Sequence, residues 1–196
     1  MSYNEVSESL EKNKSMFKYY SKSSFLFFIF ILSVSIQTRI HAEELVFFDQ
    51  GFGDFSEELE TAREEGKAGV FIFFEMDECP FCHRMKTTVL NQPEVVSFYK
   101  EHFKIFLVNI DGDVEMTDFQ GNVTTQKDFS FKQQRVRATP VFAFFDLDGN
   151  RVVKYTGPTS SVEEFIWLGE YMVNGEYKKS SFTRYKRARR KAAITK

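Results

Sequence analysis

The sequence is short of the residues that build disulfide frameworks and metal sites. Its 196 residues include only 2 cysteines and 3 histidines. Two cysteines allow a single internal disulfide, which excludes a small fold held together by several bridges. Two thiolates alone also leave a metal ion short of ligands. Stability must therefore come from an apolar core, for which the 24 phenylalanines supply ample material.

The two signs of charge are unevenly distributed along the chain, although the net charge is only -2. Residues 43–177 carry 25 acidic and 12 basic side chains, whereas residues 178–196 carry nine basic side chains and no acidic one. A nucleic-acid-binding domain would carry its basic face on the body, so the acidic body excludes nucleic acid as a partner. We expect the basic C-terminal tail, residues 178–196, to be a solvated, disordered end. The alternative is that it binds an anionic membrane surface or an acidic partner.

Residues 1–42 are predicted to be a signal peptide. They contain the apolar run SFLFFIFILSVSI, which at about a dozen residues is too short for a comfortable membrane span. Lys18 and Lys22 precede this run, and Ala42 is a suitable last residue before cleavage. A start at Met16 would give a signal peptide of ordinary length. We therefore expect an exported, periplasmic protein, with an uncleaved membrane anchor as the alternative.

From residue 43 onward the chain alternates between strand and helix patterns. Continuous apolar runs predict buried strands, and an Asp-Gly pair between two such runs predicts a hairpin. Residues 111–128 show no clear period and are predicted to be a loop or small hairpin. The predicted strands are ELVFF, AGVFIFFE, KIFLVNID and the two arms of TPVFAFFDLDGNRVVKYTG, and the predicted helices are DFSEELETAREEGK, PFCHRMKTTVLNQ, PEVVSFYKEHF, FSFKQQRVRA and SSVEEFIWLGEYMVNGEY.

This order of elements predicts an α/β fold. Strands joined through helices pair in parallel, and the terminal hairpin adds antiparallel pairing. The expected architecture is one domain, residues 43–177, with a mixed central sheet and helices on both faces.

The two cysteines enclose the segment CPFC, between a predicted buried strand and a predicted helix. Backbone N–H groups and the positive end of the helix dipole favour a thiolate at Cys79. A thiolate is the nucleophile that attacks a disulfide, so Cys79 could form a mixed disulfide with a substrate. Cys82, one helical turn later, is placed to resolve that mixed disulfide. A structural disulfide is an alternative, although a bridge across two residues constrains little of the unfolded chain.

Several motifs in this order resemble the thioredoxin superfamily. They are CPFC between a buried strand and a helix, then ATPVFAFF, the DLDGN hairpin and a closing helix. The resemblance covers residues 45–175. Within the superfamily, FFEMDECPFCHRM is most similar to the exported thioredoxins associated with sulfur oxidation, the SoxW-like group. The resemblance implies a thioredoxin-like fold and thiol–disulfide exchange.

The resemblance also implies a role for each matched residue. Cys79 would be the attacking thiolate and Cys82 the buried resolving thiol. Pro140 matches the cis-proline of the family, which lies against the dithiol; an ordinary proline at a strand entry is the alternative. Thr139, just before it, would offer backbone hydrogen bonds to a substrate strand. The predicted substrate-binding residues are Thr139, Pro80 and Phe81.

The sequence departs from the ordinary thioredoxin pattern at two positions. Glu78 stands where the family carries a tryptophan before the first cysteine, and Phe73 stands where it carries a buried aspartate. Glu75 is the nearest candidate for a catalytic carboxylate, because a carboxylate at the strand end beneath the dithiol could deprotonate Cys82. The alternative is that Glu75 is simply solvated at the end of the strand.

The expected function is that of an exported thiol-disulfide oxidoreductase that needs no cofactor and works in the reducing direction as a monomer. Its partners would be disulfide-containing proteins and, as electron donor, a membrane-bound thiol reductant. The alternative function is a non-catalytic binding or metal-delivery module that holds copper(I) through the cysteines with Met76, Met85 or His83.

Overall fold

The computed structural model describes residues 47–51 and 53–194, so the predicted signal peptide, residues 1–42, lies outside the described residues. No helix in the described part of the chain combines the length and the apolarity needed to cross a bilayer. The helices are α1 (Phe55–Glu64), α2 (Pro80–Met85, extended by a π-helical turn Lys86–Leu90), α3 (Pro93–His102), α4 (Gln126–Asp128, extended by a π-helical turn Phe129–Gln133), α5 (Val162–Val173), a 3-10 turn Glu176–Lys178 and α6 (Phe182–Ile194). The strands are β1 (Gly69–Glu75), β2 (Phe103–Asn109), β3 (Glu115–Thr117), β4 (Val123–Thr125), β5 (Val141–Phe145) and β6 (Arg151–Thr156).

The central sheet has four strands in the order β2-β1-β5-β6. Strand β1 runs parallel to β2 and antiparallel to β5, and β5 pairs with β6 in the predicted antiparallel hairpin. The α/β fold with a mixed sheet is therefore confirmed. The polar segment 111–128 contains the small hairpin β3-β4, which was one of its two predicted forms.

Helices cover both faces of the sheet because β1 is apolar on both sides. Phe71 and Phe73 pack into one buried cluster with side chains from α2, α3 and α5. Val70, Ile72 and Phe74 pack into a second cluster with α1 and α4. Successive side chains of a strand point to opposite faces, so a continuous apolar run needs a cover on each side.

The glycine that begins β1 is required by the packing of the sheet. A Cβ atom at Gly69 would lie 2.0 Å from the carbonyl oxygen of Phe145 on the neighbouring strand β5. Any larger residue would push the two strands apart at this point, because no side chain can yield to relieve a backbone clash.

The predicted first strand, ELVFF, is wrong over the part that the structure describes. Phe47 and Phe48 lie outside the sheet, and their rings are buried in the first cluster. Asp49 contacts β2 at a single residue, Ile105, through two hydrogen bonds. The Asp49 N–H donates to the Ile105 carbonyl at 2.7 Å, and the Asp49 carboxylate accepts from the Ile105 N–H at 2.7 Å. The side chain thus occupies the hydrogen-bonding position that a continuing strand would need.

The predicted helix FSFKQQRVRA is also shorter than expected. The helical segment begins earlier, at Gln126, and ends at Gln133. Arg135 has a positive φ of 51°, and the Val136 N–H bonds back to the Ser130 carbonyl at 2.9 Å. A left-handed residue directly after a helix is a common way to end it.

The expectation of a disordered basic tail is wrong, because residues 182–194 form helix α6. Phe182 and Tyr185 pack against Tyr171 of α5, with ring centroids 5.4 Å apart in both pairs. Aromatic residues spaced three apart lie on one face of a helix, and this face is the one that meets the domain. The high charge of the segment concealed that apolar face.

A buried carboxylate on α5 also holds α6. Glu164, whose side chain is only 2% exposed, pairs with Lys186 at 2.6 Å and with Arg190 at 3.0 Å. Its carboxylate also accepts hydrogen bonds from the hydroxyls of Ser160 and Tyr155. Burial by itself raises the pKa of Glu164, but the hydrogen bonds from Lys186 and Ser160 outweigh it and hold the pKa below the ordinary 4.5.

We expect Glu164→Gln to destabilise the protein by about 2 kcal/mol at pH 7, because it removes the buried charge that pairs with α6. The group has a lowered folded pKa, so its contribution is complete above pH 4.5 and is lost as the pH falls through the folded value. Urea unfolding at several pH values measures both effects. Glu163→Gln, at the exposed neighbouring position, is the matched control and should cost less than about 0.5 kcal/mol. Equal losses for the two variants would contradict this role of Glu164.

Candidate active site

The dithiol lies at the junction between β1 and α2. Cys79 is the N-cap residue of α2, in an extended backbone conformation, and Pro80 occupies the first turn. The Cys82 N–H donates to the Cys79 Sγ at 3.1 Å, and the His83 N–H donates to the Cys79 carbonyl at 3.0 Å. The sulfur of Cys79 therefore takes the place that a capping oxygen usually fills, where N–H donors and the helix dipole stabilise negative charge.

The two cysteines form a disulfide, with their Cα atoms 5.2 Å apart. Cys79 is 8% exposed and Cys82 is 1% exposed. A partner molecule can therefore reach the sulfur of Cys79 more readily than that of Cys82. This difference agrees with the order of attack implied by the family resemblance, while the two roles themselves stay a prediction.

The residues between the cysteines face solvent. Pro80 is exposed, and Phe81 is 53% exposed, which makes it one of three large exposed hydrophobic residues in the described chain. The guanidinium of Arg84 lies 5.5 Å from the centroid of the Phe81 ring. An exposed aromatic ring beside a reactive sulfur offers apolar contact to a bound polypeptide.

The Thr139–Pro140 segment lies at the same edge of the sheet as the dithiol. The peptide bond between the two residues is cis, as the resemblance implies. Phe74 of β1 pairs with Val141 of β5, so the next step of this antiparallel register brings Pro140 beside Glu75, just before the chain leaves the sheet for Cys79. Thr139 is partly exposed at this edge, and Pro140 is buried.

Glu75 is not solvated as the alternative interpretation proposed. Its side chain is 12% exposed, and its carboxylate lies 3.1 Å from the ammonium of Lys86. Lys86 follows Cys82 by four positions and therefore lies on the same face of the helix. This spacing was readable in the sequence, yet Lys86 was missed as a member of the site.

The soft ligands proposed for copper(I) differ in their surroundings. Met85 is fully buried in the first core cluster, and its sulfur accepts a hydrogen bond from the Thr159 hydroxyl at 3.8 Å. Met76 packs against both clusters, whereas His83 is exposed on α2. Over residues 47–51 and 53–194, no three or more His, Cys, Asp or Glu side chains are grouped so as to hold a metal ion.

A groove of about 860 Å³ opens beside the dithiol helix. It is lined by Arg84 and Thr88 of α2, by Ser160 in the loop before α5, and by Lys186 and Arg190 of α6. The C-terminal helix thus shares a concave surface with the helix that carries the cysteines.

A family model described as a thioredoxin-like domain matches residues 55–173, which is more than half of the chain. The chain belongs to the thioredoxin-like family. Cys79, Cys82, Thr139 and Pro140 all lie inside the matched residues of this thioredoxin-like protein, whereas α6 lies beyond them.

Similar solved structures were found at low sequence identity. A thioredoxin-fold protein from Helicobacter pylori is 21% identical, with 66% of this chain and 84% of that chain covered and a TM-score of 0.51. A thioredoxin from Thermus thermophilus is 24% identical over 61% of this chain and 84% of its own, with a TM-score of 0.48. The oxidised C-terminal domain of DsbD from Neisseria meningitidis is 20% identical over 59% and 90% of the two chains, with a TM-score of 0.44. The likeness to the Helicobacter pylori protein shows the fold alone, and no curated protein matches the chain significantly.

Proposed function

We propose that this thioredoxin-like protein is an exported thiol–disulfide oxidoreductase that reduces disulfides in partner proteins. The observation that carries the proposal is the placement of the two sulfurs: Cys79 caps a helix and is 8% exposed, and Cys82, one turn behind it, is 1% exposed. That arrangement favours a reactive thiolate in front and a protected thiol to release it. The proposed relation to the SoxW-like exported thioredoxins rests on the sequence around CPFC.

The reaction begins with the reduced dithiol. The Cys79 thiolate attacks one sulfur of the substrate disulfide, forming a mixed disulfide, and the other substrate sulfur leaves as a thiolate that takes up a proton. Cys82 then loses its proton and attacks the Cys79 sulfur. This step forms the Cys79–Cys82 disulfide and releases the second substrate thiol, so that two electrons have passed from the protein to the substrate.

The substrate chain would lie between the Thr139–Pro140 segment and the exposed residues Pro80 and Phe81. Within the described chain, neither the N–H nor the carbonyl of Thr139 takes part in a hydrogen bond. These groups are available to pair with an extended substrate segment, in the manner of strand addition at an open edge. Phe81 would add apolar contact next to the bond under attack.

Glu75 is the proposed base for the release step. Its carboxylate is largely shielded from solvent at the end of β1, and the ammonium of Lys86 accompanies it on the helix of Cys82. A shielded carboxylate near a buried thiol can accept the thiol proton directly or through one water molecule.

Regeneration of the reduced dithiol requires a reductant. Because the protein is proposed to be exported, we propose that this reductant is a membrane-bound thiol protein. Cleavage after Ala42 would give a mature chain that begins at Glu43, and N-terminal sequencing of the exported protein tests this boundary. A mature protein that retains residues 1–42 would instead favour the membrane anchor.

Trapping of the mixed disulfide tests the proposed function. We expect Cys82→Ser to accumulate a covalent adduct with a disulfide-bonded substrate such as insulin, because the attack proceeds and the release does not. Cys79→Ser is the matched control and should give no adduct. Non-reducing mass spectrometry measures both. Equal adducts from the two variants, or none from either while the wild-type protein also fails to reduce insulin, would contradict the proposal.

We expect Glu75→Gln to slow release of the mixed disulfide about tenfold at pH 7. The difference in release rate between the variant and the wild-type protein should become smaller at high pH, where hydroxide can remove the thiol proton instead. The measurement is the rate at which Cys82 releases the substrate from Cys79 after rapid mixing of the reduced protein with a disulfide substrate, followed from pH 6 to about pH 9. Asp77→Asn, which removes an exposed carboxylate two residues away, should change the rate less than about twofold. Equal slowing in both variants would show a general charge effect instead of a base.

A further inference from the structure

A group of four cations lies along the edge strand β6 and the segment that leads to Pro140. We call Arg135, Arg137, Arg151 and Lys154 the cationic cluster. Arg151 donates to the Gln134 carbonyl at 2.6 Å, and Lys154 donates to the carbonyls of Gln134 at 3.0 Å and Arg135 at 2.7 Å. These bonds hold the two strand cations against the backbone of the segment that carries the two arginines.

The charges of the cationic cluster are not neutralised within the described chain. None of the four side chains forms an ion pair with a carboxylate among residues 47–51 and 53–194. Burial, and then the charges of Arg151, Arg135 and Arg137, lower the pKa of Lys154; burial and the charge of Arg135 lower the pKa of Arg151. Like charges that lower one another's pKa destabilise the folded state.

The clustering is unusual for this chain. Residues 43–177 carry only 12 basic side chains against 25 acidic ones, yet four of the basic ones meet here without an acidic partner. Arginine or lysine on an edge strand can guard against unwanted strand pairing. That role would account for Arg151 and Lys154 on β6, but it requires neither Arg135 nor Arg137, which belong to the neighbouring segment.

The cationic cluster lies close to the proposed active site. Arg137 precedes Pro140 by three residues, so their Cα atoms are at most about 11 Å apart. Arg135 and Arg137 are both exposed, and the Arg137 guanidinium lies over the Phe131 ring at 5.1 Å from its centroid. A polypeptide bound along Thr139 would therefore pass beside these two arginines.

We propose that the cationic cluster is a docking site for an acidic segment of the protein partner, next to the bond that the dithiol attacks. The proposal deepens the proposed function by naming the charge of the partner. Carboxylates of the partner would supply the ion pairs that the four cations lack, and guanidinium groups are suited to carboxylates because they bind them in a bidentate manner. Opposite charge on the two surfaces would also accelerate their encounter.

Binding of a peptide without cysteine tests the docking site separately from thiol chemistry. The probe is a fluorescently labelled oligoglutamate peptide, with the corresponding oligoglutamine peptide as reference, titrated with the oxidised full-length protein and followed by fluorescence anisotropy. We expect selective binding of the glutamate peptide at low salt. The double variant Arg135→Asn and Arg137→Gln should weaken it about tenfold, and the difference should vanish near 0.5 M salt, where the Debye length is about 4 Å. Asparagine is chosen at Arg135 because it tolerates the left-handed conformation found there.

Two further variants make the result decisive. The double variant Arg184→Gln and Arg187→Gln removes the same charge from the exposed side of α6 and should leave binding within about twofold. The charge-preserving pair Arg135→Lys and Arg137→Lys should weaken binding less than the neutral pair does, because it keeps the charge and loses only the bidentate geometry. Absence of binding in the wild-type protein, or equal weakening by the α6 variant, would overturn the proposal. Cluster-dependent binding to phosphatidylglycerol vesicles, with peptide binding unchanged in the cluster variant, would also overturn it in favour of a membrane surface. Since Cys79 and Cys82 take no part in this assay, successful adduct trapping with failed peptide binding would reject the docking site alone.

Discussion

Strand β1 must bury both of its faces, and the position of the dithiol follows from that requirement. The side chains from Val70 to Phe74 are fully buried, between α2, α3 and α5 on one side and α1 and α4 on the other. Such a strand has to occupy the middle of the sheet, with β2 and β5 as neighbours. Its carboxyl end then brings Glu75 and Cys79 to the edge at which Pro140 leads into β5. The arrangement of the candidate site therefore depends on the packing of one apolar strand.

The sequence predicted most of this arrangement because its signals are local. A continuous apolar run, CPFC and an Asp-Gly turn each specify their own structure, and the family resemblance added Pro140, which no local pattern identifies as cis. The errors arose where a side chain decides the outcome. Asp49 takes the place of a strand, Arg135 ends a helix early, and the aromatic face of α6 outweighs its charge. The ion pair between Glu75 and Lys86 depends on how β1 and α2 meet. The four-residue spacing of Cys82 and Lys86 was the only sign of it in the sequence.

Charge is organised in this protein around two basic regions on an acidic body. One is α6, which Glu164 holds onto the domain and which lies beyond the residues matched by the family model. The other is the cationic cluster beside the entrance to β5. Lys186 and Arg190 of α6 pair with Glu164 and so attach this helix to the domain. The side chains of the cationic cluster form no ion pair with a carboxylate among the described residues. Of these two regions, only α6 lies beyond the residues that the thioredoxin-like family model matches, and the cationic cluster lies within them.

The reduction potential of the Cys79–Cys82 pair tests the central claim most directly. The mature domain would be equilibrated with glutathione buffers of known ratio and the reduced fraction measured by thiol alkylation. A reductase fed by a membrane-bound donor should have a potential near −270 mV, as in thioredoxin. A value near −120 mV, characteristic of a strong oxidant of folding proteins, would contradict the proposed reducing direction.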